Sequence, residues 1–307
     1  MIFHRTHISP SFIDDFLRDP LVATVKWNFG WRPVEPPASV ARMAFGRLRE
    51  RAEVLFRQGL TAVEVIDVIT NKDGKPDYLL LCDNAPPTRF PMQPLALLDA
   101  ILAYGRTCPD RFEGEAVEQY QPRVETPTGT TRVLVCKGDM WLQSNRLGDH
   151  KRCWVELKAT SSGRGVEMIE TYRQSVQGRL YALAAAQQSM PVRYDVWDVQ
   201  TDRTAFRTFT FSEHDDLLRE TKYALFLFGE QLGFWELQAA DWRGSWPKGP
   251  FSLENHPDRL PCNAPVLPSP GRKGHWRNLF ALPPGPERLS YLAANFEYSE
   301  PRDGRKK

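Results

Sequence analysis

The chain has 307 residues, 25% of them charged and 41% apolar, enough for a full buried core and outside the range of disordered or fibrous proteins. The formal net charge of +2 excludes a globally basic nucleic-acid-binding surface and leaves room only for a local patch. No apolar run approaches the roughly 18–20 residues that span a bilayer, and the N-terminus lacks the apolar core of a signal peptide, so no membrane contact is expected. The five cysteines (Cys82, Cys108, Cys136, Cys153, Cys262) are odd in number, widely spaced and without a Cys-x-x-Cys pair. They predict a reducing, cytoplasmic setting with no disulfide framework, structural zinc or cysteine-held cluster.

Ser9-Pro10 opens a first helix, with Ser9 as N-cap and Pro10 in the first turn, which should stop before Asp19-Pro20. After Pro33, Pro36 and Pro37, a second helix is expected from about Ser39 to Gln58. It carries Val40, Met43, Ala44, Leu48, Ala52 and Leu55 on one stripe and ends at Gly59. Thr61–Thr70 and Tyr78–Cys82 read as strands around an Asn71-Lys72-Asp73-Gly74 turn, and Leu95–Tyr104 as a short helix. Three strands follow between Glu115 and Ala159. The last two, Arg132–Trp141 and Cys153–Ala159, are joined by a polar loop holding Asn145, Gly148 and Asp149. Glu167–Gln188 reads as one helix with Ile169, Tyr172, Val176, Leu180 and Leu183 buried. Strands Val192–Thr201 and Thr204–Phe211 and a long helix from Ser212 to about Phe234 complete an α/β pattern built on a mixed sheet.

Composition then shifts. Eleven of the 25 prolines lie beyond residue 240, yet Trp242, Trp246, Phe251, Trp276 and Phe280 make that stretch too aromatic for simple disorder. The sequence therefore divides into a domain over 1–240 and a Pro- and aromatic-rich extension over 241–307. The extension is expected to wrap the core irregularly or dock on a protein partner. Leu289, Leu292, Ala293 and Phe296 mark a short amphipathic helix within it.

The chemistry concentrates in Gly138-Asp139 and Glu156-Leu157-Lys158. Alternate strand residues share a face, so Glu156 and Lys158 project together while Val155 and Leu157 face the other way. A hairpin would bring Asp139 to the same edge. Two carboxylates and an ammonium there suit a divalent cation and a water attacking phosphate. Further on, Gln177 and Tyr181 are four apart on a helix and share a face, flanked by Arg173 and Arg179. Trp141, Trp154 and Trp197 read as sheet packing rather than base-stacking platforms. No Gly-rich phosphate loop with its lysine and no Gly-x-Ser-x-Gly elbow is present.

Taken together, Lys137-Gly138-Asp139, Val155-Glu156-Leu157-Lys158-Ala159-Thr160 and Gln177-Gly178-Arg179-Leu180-Tyr181 resemble the PD-(D/E)XK nuclease superfamily, in particular its RecB-like exonuclease branch. The likeness covers roughly Ala116 to Gln200. It implies a restriction-endonuclease-like core, a central mixed sheet flanked by helices. It also implies Mg²⁺ or Mn²⁺ held by Asp139 and Glu156, with the Leu157 carbonyl as an extra ligand and Lys158 orienting or deprotonating the attacking water. Gln177 and Tyr181 would contact nucleic acid or the catalytic groups. The flanking Arg173 and Arg179 could meet phosphates, and a solvated helix face explains them equally well. Phe45-Gly46-Arg47-Leu48-Arg49-Glu50 resembles the family's upstream helix and points to Glu50 as a third metal ligand, with Glu53 its competitor one turn on. Iron–sulfur members often carry Cys-Pro where this chain has Asp19-Pro20, so no cluster is expected. The resemblance implies a DNA exonuclease of phage or bacterial recombination or processing, in the bacterial or phage-infected cytoplasm, as a possible homo-oligomer. The alternatives are an endonuclease on the same core and an inactive DNA-binding or assembly module.

Overall fold

The computed structural model describes residues 6–28, 30–34, 37–70, 94–107, 115–120, 123–128, 132–144, 152–160, 164–199, 204–240, 274–283 and 286–298. The expected strand Tyr78–Cys82, the turn at 71–74, the loop at 145–149, the turn at 201–203 and Trp242, Trp246 and Phe251 lie outside them. In chain order the elements are β1 (His7–Ile8), α1 (Pro10–Arg18), α2 (Pro20–Ala23), β2 (Trp31–Pro33), α3 (Pro37–Arg57), α4 (Ala62–Thr70) and α5 (Pro94–Thr107). Then come β3 (Glu115–Tyr120), β4 (Arg123–Thr128), β5 (Arg132–Lys137), β6 (Met140–Ser144) and β7 (Arg152–Thr160). After these follow α6 (Gly165–Gln174), α7 (Val176–Gln187), β8 (Val192–Val199), β9 (Thr204–Phe211) and α8 (Asp215–Ala240). Last are α9 (Gly274–Ala281), α10 (Pro286–Asn295) and β10 (Phe296–Tyr298). The protein is a mixed α/β fold with helices flanking mixed sheets. Among the described residues no helix is long and apolar enough to cross a membrane.

The chain forms two interleaved compact units, one of residues 35–124 and 137–218, the other of residues 1–34, 125–136 and 219–307. The first unit is built on a five-stranded sheet of order β3-β6-β7-β8-β9. The β7/β8 pair is parallel and the other pairs are antiparallel. A parallel pair needs a crossover, supplied by α6 and α7. Every residue of β8 is buried, as befits a central strand covered on both faces. Ala52 and Phe56 of α3, Val65 and Ile69 of α4, and Ala100, Ile101 and Tyr104 of α5 form one core with Trp197 and Val199. Val54 of α3 packs on a second cluster of Met140, Leu142, Cys153, Val155 and Leu157. Gly59, at φ +89°, ends α3 in the left-handed conformation that glycine adopts most readily.

The other unit contains the sheet β1-β5-β4 and the antiparallel pair β10-β2. Ser9 caps α1 by accepting from the Phe12 N–H. Phe12 and Phe16 of α1 meet Phe228 of α8 edge to face. The described part of the extension is regular rather than irregular. Leu279, Phe280, Leu292 and Phe296 share a core with Leu21, Val25 and Trp31, and β10 pairs with β2.

Three local expectations are corrected. Thr61–Thr70 is not a strand. Residues 62–70 are helical because Thr61 and Glu64 form a capping box, the Thr61 N–H donating to Glu64 Oε2 at 2.7 Å and the Glu64 N–H to Thr61 Oγ1 at 3.4 Å. The single strand expected over 132–141 is two strands, broken at Gly138-Asp139 and paired into different sheets. The single helix expected over 167–188 breaks at Ser175, which is extended (φ −67°, ψ 159°) and caps α7 by accepting from the Gly178 N–H. A Cβ on Gly178 would lie 2.1 Å from the Tyr172 carbonyl oxygen, so the tight corner requires glycine there.

Candidate active site

The β6–β7 hairpin assembles the site. Met140 stands opposite Val155, which sets Asp139, one residue earlier, next to Glu156. The Leu157 N–H donates to Asp139 Oδ2 at 2.7 Å, tying that carboxylate to the strand between Glu156 and Lys158. Its Oδ1 accepts no hydrogen bond among the described residues. Val155 and Leu157 face the α3 side, as alternation predicts.

Glu156 is 2% exposed and both its oxygens are engaged. Oε1 accepts from Trp154 Nε1 at 2.7 Å and Oε2 from Lys158 Nζ at 3.0 Å. Burial, only partly offset by Lys158, pushes its pKa up to about 7, and the neighbouring Asp139 adds to the rise. Burial works against the Lys158 charge, yet Glu156 and Asp139 outweigh it and hold the ammonium above its ordinary pKa. Lys158 Nζ also lies over the Tyr172 ring, 4.5 Å from its centroid. Tyr172 sits on the expected buried stripe, and no sequence signal marked its contact with the lysine.

The upstream carboxylates separate cleanly. Glu50 is partly buried, and its pKa is raised first by that burial and then by the negative charge of Asp139, with Lys158 acting in the opposite sense. It therefore shares the electrostatic environment of the hairpin carboxylates. Glu53 is fully buried elsewhere. It accepts from Arg57 Nε at 2.9 Å and Tyr104 Oη at 2.8 Å, with Arg49 Nη2 3.9 Å away. Glu53 is thus a structural anion and not a competitor for the site.

Gln177 Nε2 donates to Tyr181 Oη at 2.8 Å, so the pair bonds internally. Tyr181 lies within the buried face rather than at its border, 8% exposed, its ring centroid 5.5 Å from that of Trp154. Burial raises its pKa well above the ordinary phenol value, so it stays a neutral hydroxyl. Arg173 is engaged by Glu213 at 2.9 Å and Glu170 at 3.3 Å and stacks over Phe211 at 3.7 Å, while Arg179 is exposed. Trp154 and Trp197 are fully buried, as expected of sheet-packing residues.

Oxygen donors of this kind fit a hard divalent cation. Glu156 and Glu50 lie where burial disfavours a charged carboxylate, and the raised pKa values of the two glutamates record that cost, with neighbouring Asp139 adding to both. Among the described residues, however, no three His, Cys, Asp or Glu groups converge into a ready-made cation cage. Each Glu156 oxygen holds one donor and Asp139 Oδ2 holds the Leu157 N–H, which leaves every one of these oxygens a further lone pair for a cation.

Gly138 has a steric duty at this corner. A Cβ there would come within 2.6 Å of Trp154 Cε2. We expect Gly138→Ala to lose about 1–3 kcal/mol by overpacking and to displace the adjacent Asp139. Urea denaturation checks the first effect, and an unchanged midpoint would refute it.

No family model matches this chain, and no curated protein matches its sequence. Among solved structures, a candidate exonuclease from Eubacterium rectale is similar over 76% of this chain and 82% of its own, at 14% identity and a TM-score of 0.39. The structure of SSO0001 is similar over 74% of this chain and 78% of its own, at 13% identity and a TM-score of 0.30. Likeness at this level assigns neither activity nor residues.

Proposed function

We propose that this protein is a Mg²⁺-dependent DNA nuclease of the PD-(D/E)XK type, acting as a RecB-like exonuclease. The observation that carries the reading is the 2.7 Å bond from the Leu157 N–H to Asp139, which sets Asp139 beside the Glu156–Lys158 pair on the face predicted for chemistry. Asp139 and Glu156, with Glu50 as the third carboxylate, are the groups that would hold the cation. When bound, Mg²⁺ supplies Lewis-acid charge at a phosphate oxygen and makes water a better nucleophile near neutral pH. Lys158 stays protonated beside Glu156, which supports a role in offsetting phosphate charge and orienting the water rather than in accepting its proton. Tyr181 and Gln177 brace the hairpin from α7.

Glu156 must lose its proton to serve as a ligand. Because its pKa is raised to about 7, cleavage should climb by about tenfold per pH unit below that value and level off above it. Higher Mg²⁺ should move the inflection to lower pH, since cation and proton compete for the same carboxylate. A rate independent of pH between about 5.5 and 8 would contradict this assignment.

Incubation with linear and circular, single- and double-stranded DNA tests the class of activity. An exonuclease degrades the linear forms and spares closed circles, whereas an endonuclease opens the circles. Retarded but intact DNA would identify a binding module and refute the catalytic reading.

A further inference from the structure

Trp154 is fully buried, yet it meets three separate pieces of the site. From its own strand, its Nε1 donates to Glu156 Oε1 at 2.7 Å. On the helix side its ring packs against Tyr181. At the β5–β6 corner its indole fills the space that a side chain on residue 138 would need, so Gly138 rests directly against it. An indole N–H only donates, so this bond holds Glu156 as an acceptor. A phenylalanine would fill most of that space, though not the part taken by the second ring, without burying a polar group, and burial of an N–H is offset only when it is bonded.

We infer that Trp154 is the positioning residue of this site: its indole fixes the orientation of Glu156 and seats the Gly138-Asp139 corner beside it, so that both carboxylates are preorganised for one cation. This inference rests on Asp139 and Glu156 being cation ligands, the reading proposed above. Outer partners of ligands act in this way by holding them in the bound geometry, at a typical worth of about 10- to 100-fold in metal affinity.

The test uses the full chain with ¹⁵N-labelled tryptophan. Among its nine tryptophans, the Trp154 indole N–H resonance should shift on Mg²⁺ addition, with the midpoint of the calorimetric binding curve. Trp154→Phe should weaken Mg²⁺ binding by about 10- to 100-fold and raise the Mg²⁺ concentration for half-maximal cleavage by the same factor, with kcat at saturating Mg²⁺ within about threefold. A Trp154 resonance that stays fixed through saturation, or a Trp154→Phe protein with unchanged affinity, overturns the inference while leaving the cation site intact. Wild-type protein that binds no Mg²⁺ overturns both. Should the variant not fold, the wild-type resonance, assigned through bonds, decides alone.

Discussion

Asp139→Asn should fold like the wild type and lose Mg²⁺-dependent DNA cleavage by at least about 10³-fold, equivalent to about 4 kcal/mol of transition-state stabilisation. The amide oxygen of asparagine still accepts the Leu157 N–H that now donates at 2.7 Å, so the corner keeps its tie to β7. What the substitution removes is the negative charge beside Glu156 and Lys158. Loss of that charge should also lower the Glu156 pKa, because Asp139 now contributes to its rise. Single-turnover cleavage together with thermal unfolding separates the two effects. An active Asp139→Asn protein would refute the assignment.

The second large effect concerns stability. Glu53→Ala should destabilise the fold by about 3–5 kcal/mol, because it removes the buried anion that accepts from Arg57 Nε and Tyr104 Oη. Arg57 Nη2 is 2.8 Å from Glu53, and Arg49 and Arg57 are each 1% exposed. Asp195 Oδ2, 3.6 Å from Arg57 Nη2, remains as a second, more distant anion and offsets part of the loss. A loss of that size is a large share of the roughly 5–15 kcal/mol that holds a typical domain together. Glu50→Gln should behave oppositely, with little change in stability and a large loss of cleavage. Urea midpoints and cleavage rates of both variants discriminate the two glutamates, which stand three residues apart on one helix. A stable, inactive Glu53→Ala protein would reverse the assignment.

Much of this architecture was legible in the sequence. The mixed α/β class, the α1 cap at Ser9, the stop at Gly59 and the inward-facing Val155 and Leu157 follow from local chemistry and strand alternation, and the structure has all of them. The hairpin site was legible for the same reason, since register is set by neighbouring residues. Breaks were harder to see. The corner at Ser175 depends on the close approach of Gly178 to the Tyr172 carbonyl, a contact within a few residues that apolar periodicity does not record. The helix at 62–70 hid behind its β-branched content, although the Thr61–Glu64 capping box was there to be read. The separation of Glu50 from Glu53 was beyond reach, because both lie on one polar helix and only Arg57, Tyr104 and Arg49 decide which is taken. The same holds for Trp154, whose bond to Glu156 makes a residue expected to pack the sheet into part of the site.

The most direct measurement is the release of nucleotides from end-labelled linear duplex DNA by wild-type protein, in Mg²⁺ and again in excess EDTA. The account predicts degradation in Mg²⁺ that stops on chelation and resumes when Mg²⁺ is restored. Undiminished cleavage in EDTA, or intact DNA in both Mg²⁺ and Mn²⁺, would contradict it.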